Sequence, residues 1–531
     1  MREGRSARPS STKSAVISPP SKRIAVDAQR RNFLRLAGAT AMAGALPLAP
    51  WPNGARAATA DRFTPDLEIE LVARPDELQL LPGPSTDVWR YAGRVLKGPS
   101  DAVQSVPGSY AGPIFRFSTG QKVRIRFKNQ IPQPSIVHWH GLIVPEQMDG
   151  HPRHVVPEGG EYLYEFTVRN RAGTYWFHPH PHGYTGTQVY GGLAGLILVS
   201  DDEERAARLP EGERDISIVL ADRTFDRANQ LVYEAAMGGM MGGMSGFFGE
   251  RILANGRPAL SFPAASGAYR VRLLNGSNSR IYRIARSDRK PLVAIASDGG
   301  LLAAPETRSF LVLGPAERAE LWLDFHDASS GSKIALVAEP LDFGGGGMGM
   351  MGGMMGRGAR TRTAAPSSFA LFTVDRGASR QALPARLAEL APAAAPRDLL
   401  RREFALTMGH MRWGINGRVF EMDEVAPHER IRYGDTEVWE FSNRNAMMVM
   451  PHPMHIHGVQ FRVLERIGTP PDLQGLHAGF LDGGVKDTVL VLPGERVRVL
   501  LSFKDYRGLF LYHCHNLVHE DMGMMRNFRV A

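Results

Sequence analysis

Gly120-Gln-Lys-Val-Arg-Ile-Arg-Phe-Lys-Asn129 alternates apolar and polar residues one for one. A strand through it puts Val123, Ile125 and Phe127 on one face and the basic side chains on the other. The same element recurs as Gly267-Ala-Tyr-Arg-Val-Arg-Leu-Leu-Asn275 and Gly434-Asp-Thr-Glu-Val-Trp-Glu-Phe-Ser-Asn443, with starts 147 and 167 residues apart. Spacings of that size fit one domain each. The pattern predicts an all-β chain of three consecutive related domains over 58–200, 213–375 and 400–531. The charged segment Asp201–Glu213 and the Ala/Pro/Arg-rich stretch Arg376–Arg401 serve as connectors, and some short helix is expected in each.

Composition agrees with this reading. Of 531 residues, 43% are hydrophobic and 22% charged, so a sizeable core can form. Fifty-seven Gly and 37 Pro favour turns and short strands over long helices. No run of about 18 apolar residues supports a membrane-spanning helix.

The net charge of +9 is misleading until the chain is divided. Residues 1–57 hold ten Lys/Arg against two acids, leaving the rest of the chain almost neutral. No basic face is implied, and a nucleic-acid partner loses its support. The leader itself reads Arg30-Arg31-Asn32-Phe33-Leu34-Arg35, then an apolar run from Leu36 to Leu48, then Ala55-Arg56-Ala57. That order resembles a twin-arginine signal peptide over 1–57, which carries folded proteins to the bacterial periplasm. Once cleaved it leaves no membrane anchor. In an oxidising compartment the single cysteine, Cys514, cannot be there to pair within the chain.

Two low-complexity segments interrupt the second domain: Met237–Met244, and Gly344–Gly356 with its Met-Gly runs. Together they hold nine of the 22 methionines. So much glycine cannot hold a fixed backbone cheaply, so both are expected as surface loops.

Histidine makes the sequence specific. Ten of 17 histidines fall in four tight clusters. They are His138-Trp-His140-Gly, Phe-His178-Pro-His180, His452-Pro-Met-His455-Ile-His457-Gly, and His513-Cys514-His515 with His519 and Met524 beyond. A His-x-His pair on a strand sends both rings to one side. A thiolate with two imidazoles and a weak axial thioether is the blue-copper arrangement. Cys514, His519 and Met524 provide three of those groups, and His452 heads the other C-terminal cluster. The remaining eight imidazoles exceed what a structural zinc site uses and suit a cluster of copper ions. Cys514 lies between His513 and His515, so alternating side chains can reach a relay on one side and the cluster on the other.

The four motifs HWHG, HPH, HPMHIHG and HCHNLVHEDMGMM together resemble those of the multicopper oxidases, above all bacterial laccase-like and cuprous-oxidase enzymes. The resemblance implies three cupredoxin-like Greek-key β-sandwich domains and four copper ions: one type 1, one type 2 and two type 3. By position, Cys514, His452, His519 and axial Met524 would hold type 1, and His138 and His455 type 2. The type 3 pair would take His140, His178, His180, His457, His513 and His515. Every ligand position is filled, unlike in the inactive cell-division relatives. The implied reaction is four one-electron substrate oxidations coupled to reduction of O₂ to water, with a monomer as the expected state. Asp149 and Glu520 match family positions that relay protons. Asp487, in Lys486-Asp487-Thr488, matches another and is expected to orient a type 1 ligand.

The substrate reading rests on methionine. Soft thioethers favour Cu(I), and the Met-Gly loops with Met408, Met411, Met447, Met448 and Met450 point to cuprous-ion recruitment or oxidation. Met448, however, stands where a cuprous oxidase would have an aspartate, and neither loop contains an acid. Phenols and aromatic amines are the other substrate class, and a copper-sequestering protein is the alternative function. His151, His154, His182, His326, His410, His428 and His477 lie outside the motifs and are assigned no ligand role.

Overall fold

The computed structural model describes residues 63–531 apart from 234–245, 342, 344–365, 378–379, 392, 397, 410–411 and 445–449. The leader, the two Met-Gly segments, His410, Met411, Met447 and Met448 lie outside the described residues.

Among the described residues six sheets fall, in chain order, into three pairs. The strands run from Leu67 to Ser200, from Asp215 to Arg376 and from Arg401 to Val530. Each of the three alternating stretches occupies the same place in its pair. Lys122–Asn129 runs parallel to the first strand of its sheet, with Leu67 opposite Val123. Ala268–Asn275 does so with Asp215 opposite Arg270, and Thr436–Ser442 with Arg401 opposite Val438. Each also pairs antiparallel with a later strand. A parallel neighbour reached through intervening strands is what a Greek-key sandwich requires and a simple meander excludes. The fold is therefore three consecutive cupredoxin-like sandwiches.

Val123, Ile125 and Phe127 are fully buried, and their core also takes Phe115, Tyr175, Phe177 and Ile197 from the opposing sheet. Each such side chain contributes about 1.5–3 kcal/mol relative to exposure. The middle copy departs from clean alternation. Every residue of Ala268–Asn275 is buried, including Arg270 and Arg272. Their outward face is not solvated: both guanidiniums pair with Glu320, and Arg272 also reaches Thr174 of the first sandwich. The charged face is an interface between sandwiches.

The first connector carries the short helix Asp202–Ala207, capped by Asp201. The second carries no helix among the described residues. Pro384 and Pro396 interrupt it, and Leu387 and Ala388 bury against the middle core instead. No helix among the described residues is long and apolar enough to cross a membrane.

Candidate metal centres

Strand register brings the histidine motifs together. His138 lies opposite His178 across two antiparallel strands of the first sandwich. In the third, His452–Ile456 pairs with Gly508–Cys514, setting His455 opposite His513 and Met454 opposite Cys514. Successive residues point to opposite faces. His513 and His515 therefore face the first sandwich, whereas Cys514 enters the third core beside Met454 and Met524.

Three all-histidine groups of ligand atoms form between the first and third sandwiches, each within 4.8 Å: His138/His140/His455, His140/His178/His515 and His180/His457/His513; a fourth joins His138 and His457 to Asp149. Burial, and then neighbouring imidazoles, push His138, His140, His455, His457 and His515 well below the ordinary histidine range. Burial drives His178 to about 4 and His180 to about 3. Neutral rings are what metal ligation needs.

The hydrogen bonds then fix where the lone pairs lie. The Nδ1–H of His138 donates to the Asp149 carbonyl (2.6 Å), and that of His455 to the Asp487 carbonyl (2.8 Å). Both Nε2 atoms are left as acceptors, and they face each other at 3.3 Å. The same close Nε2 approach recurs between His457 and His513 (3.0 Å), His180 and His513 (3.3 Å), and His178 and His515 (3.4 Å). In addition His140 Nδ1 is buried with no protein partner. Buried lone pairs aimed at one another are unfavourable unless a cation lies between them, so these residues fit metal ions.

A separate group joins His452, Cys514 and His519. Cys514 Sγ is 3.5 Å from His452 Nδ1 and 3.7 Å from His519 Nδ1. Met524 is fully buried beside them, its main-chain oxygen bonded by Cys514 N–H and its N–H donated to the His519 carbonyl. Apolar burial pushes the Cys514 thiol up. A thiolate at this position therefore needs a soft cation to hold it. The donor set of two imidazoles, one sulfur and a thioether fits copper better than zinc.

The three carboxylates occupy different surroundings. Asp149 Oδ2 accepts from His457 Nδ1 (2.8 Å), while its Oδ1 is buried without a partner, and burial pushes this carboxyl well up. Glu520 lies 3.1 Å from His513 Nδ1 and 3.6 Å from His180 Nε2. Burial pushes it up, but the imidazoles of His513 and His180 outweigh this and hold it at about 2. Asp487 corrects the expectation: it touches no residue of the Cys514 group. Its Oδ1 accepts from His140 Nε2 at 3.0 Å. Register is the reason, since Thr488 lies opposite His455, whereas His452 lies three residues along, opposite Val491.

Several residues of the site carry no motif. Arg318, from the middle sandwich, binds Asp487. Trp176 stacks on His178 (centroids 4.3 Å apart), and Trp413 lies 4.7 Å from both His452 and His519. Trp176, two residues before His178, was within reach of sequence reading, but Arg318 had no signal. The histidines assigned no ligand role fall in none of the ligand groups found among the described residues. His151 instead bonds Asn527, and His477 bonds Glu495.

Several known proteins resemble this chain. Two family models described as multicopper oxidase match residues 89–204 and 396–531. The McoA multicopper oxidase of Aquifex aeolicus is 34% identical, with a TM-score of 0.74, covering 88% of this chain and 97% of that one. A laccase of Bacillus stratosphericus is 28% identical over 83% of this chain and 90% of its own length. The cell division protein FtsP of Rahnella is also 28% identical, over 94% of this chain and 98% of its own.

Proposed function

The chain belongs to the multicopper oxidase family, whose oxidases use copper and O₂, and from that premise we propose the full cycle and its sites. Four one-electron oxidations of a small substrate at the Cys514 group supply the electrons that reduce one O₂ to two waters at the histidine cluster, with four protons taken up. The ligand sets are those of the motifs: His452, Cys514, His519 and Met524 for type 1, His138 and His455 for type 2, and the other six histidines for type 3. When bound, copper supplies one-electron transfer at the first group and O₂ reduction at the second.

The single observation that carries this reading is Cys514 itself. Its side chain joins the first group, while its chain neighbours His513 and His515 each belong to a different histidine triad. A covalent path of a few bonds therefore links the two centres. The remaining residues hold and move protons. The Asp149 carbonyl and carboxylate fix the tautomers of His138 and His457, and burial shifts its carboxyl toward the protonated form, which suits it to hold a proton beside the cluster. Glu520 stays anionic beside His513 and His180, where it can receive protons from outside the cluster.

Export through the twin-arginine leader would place the mature, monomeric chain in the periplasm. Substrates are Cu(I) or small phenols and aromatic amines. Met450, two residues before His452, and the two Met-Gly segments support the first class; the laccase among the relatives supports the second. The test is steady O₂ uptake by copper-replete protein with each donor class, alongside metal analysis. Sustained turnover with about four coppers per chain supports an oxidase. Uptake of a few equivalents of Cu(I) without turnover would make it a copper store, and a copper-replete chain without blue colour would make it a scaffold.

A further inference from the structure

Among its described residues the middle sandwich contributes no candidate ligand, yet one of its side chains reaches the cluster. Arg318 is fully buried. Its guanidinium donates to the main-chain carbonyls of Thr174 in the first sandwich (3.0 Å) and of Ala316 and Asp298 in its own (3.1 and 2.8 Å). The remaining N–H groups grip Asp487 of the third sandwich as a fork, 2.7 Å to Oδ1 and 2.5 Å to Oδ2. One planar group thus ties three sandwiches together, and its position is fixed by carbonyls before it meets the carboxylate.

Asp487 passes that order on. Its oxygens accept four hydrogen bonds: two from Arg318, one from Thr488 Oγ1 (3.0 Å) and one from His140 Nε2 (3.0 Å). A proton on His140 Nε2 leaves Nδ1 as the acceptor, and Nδ1 is the nitrogen that is buried without a protein partner. The neighbouring Gly141 confirms how close the fit is. A Cβ there would meet Asp487 Oδ2 at 2.5 Å and Arg318 Nη2 at 2.8 Å.

We infer that Arg318 is a positioning residue for the histidine cluster: by holding Asp487 as a fixed acceptor, it sets the tautomer of His140 and aims its Nδ1 at the group shared with His178 and His515. The middle sandwich is then a working part of the centre and not only a spacer. This rests on the reading of the cluster as a copper site. The side-chain hydrogen bonds of Arg318 and Asp487 go to Thr174, Ala316, Asp298, Thr488, His140 and each other rather than to the Cys514 group, so the two centres should respond differently to the loss of Arg318.

The test compares copper-loaded wild type with Arg318→Lys, Arg318→Gln, Asp487→Asn and the Arg318→Lys/Asp487→Asn pair. Lysine keeps the charge but cannot form two parallel bonds while also holding three carbonyls. Each variant is titrated against a copper chelator, with the blue thiolate absorption reporting one centre and the near-ultraviolet absorption of the type 3 pair, which His140 would help to hold, reporting the other. Expected is about 10–100-fold weaker copper binding in the cluster, the usual effect of losing an outer hydrogen-bonding partner. The type 3 absorption should change while the blue band stays. The double variant should be no worse than the more damaging single one, because both substitutions break the same path. Wild-type affinity and an unchanged type 3 absorption in Arg318→Lys would overturn the proposal. So would additive losses, or loss of blue colour and cluster copper together with folding, since each marks a merely structural arginine. A wild-type chain that itself takes copper only at Cys514 would instead overturn the reading of the cluster.

Discussion

Replacing Asp149 by Asn separates two jobs that one carboxylate performs. Its main-chain carbonyl accepts from His138 Nδ1 at 2.6 Å, and any side chain leaves that bond in place. Its Oδ2 accepts from His457 Nδ1 at 2.8 Å, a bond the Asn carbonyl can keep. Both tautomers survive, so Asp149→Asn should retain its copper. The new amide NH₂ falls where Oδ1 now lies, buried without a partner and 3.6 Å from His138 Nδ1, which is itself a donor. An unsatisfied amide there costs about 1–3 kcal/mol of stability. What Asn cannot do is carry a proton. A positioned acid or base contributes about 10²–10⁴ in rate, or about 3–5 kcal/mol of barrier. Steady O₂ uptake should fall by that factor, while anaerobic bleaching of the blue band by a donor proceeds at the wild-type rate. Asp149→Ala loses the His457 bond as well, and should bind cluster copper about 10–100-fold more weakly. Unchanged O₂ uptake in Asp149→Asn would refute the proton role. A parallel fall in blue-band bleaching would place the defect at the other centre.

Three further substitutions probe other parts of the design. Cys514→Ser should bleach the blue colour and abolish substrate oxidation while the chain still folds; turnover retained in this variant sinks the relay assignment. Gly141→Ala forces a side chain into a left-handed conformation (φ +86°) and against Asp487 and Tyr175. The backbone alone costs about 1–2 kcal/mol, so a lower Tm and weaker cluster copper are expected, and a wild-type melt would contradict the packing. Burial pushes Glu320 up, but Arg270 and Arg272 outweigh it and hold the carboxyl at about 2, against an ordinary 4.5. A depressed carboxyl gives stability that is present above its unfolded pKa and lost as pH falls toward the folded one. The loss here amounts to about 3 kcal/mol. Wild type should therefore lose more urea resistance than Glu320→Gln on acidification across that window, whereas parallel curves would show that the buried ion pairs do not control acid stability.

The fold was legible where one face of a strand is solvated. Lys122–Asn129 shows its alternation because its basic side chains reach water and surface acids, as Arg126 does with Glu68. Ala268–Asn275 gave the same pattern for a different reason, since its arginines are buried against Glu320, so the repeat was recognisable while the burial was not. Alanine and arginine favour helix, so the composition of the second connector points to one that its described residues do not form. Proline spacing and the burial of Leu387 and Ala388 in the middle core outweighed that preference.

At the site, legibility followed chain proximity. The ligands lie in four short motifs because each pair needs only the two-residue period of a strand, and local sequence encodes that period. Asp487 was identified as a site residue but attached to the wrong centre. Its effect depends on the pairing of Thr488 with His455 rather than on distance along the chain. Arg318 left no trace, because an arginine that binds carbonyls from two sandwiches and a carboxylate from a third owes its role entirely to tertiary contact. A motif can specify which nitrogens are near a metal. Which of the two ring nitrogens carries the lone pair is decided by acceptors that come from elsewhere: the Asp149 carbonyl for His138, the Asp487 carbonyl for His455 and, through Arg318, the Asp487 carboxylate for His140. A chain that kept every histidine but lost these acceptors would keep its motifs while its lone pairs no longer met, so an intact ligand set by itself does not separate an oxidase from a relative that has stopped turning over.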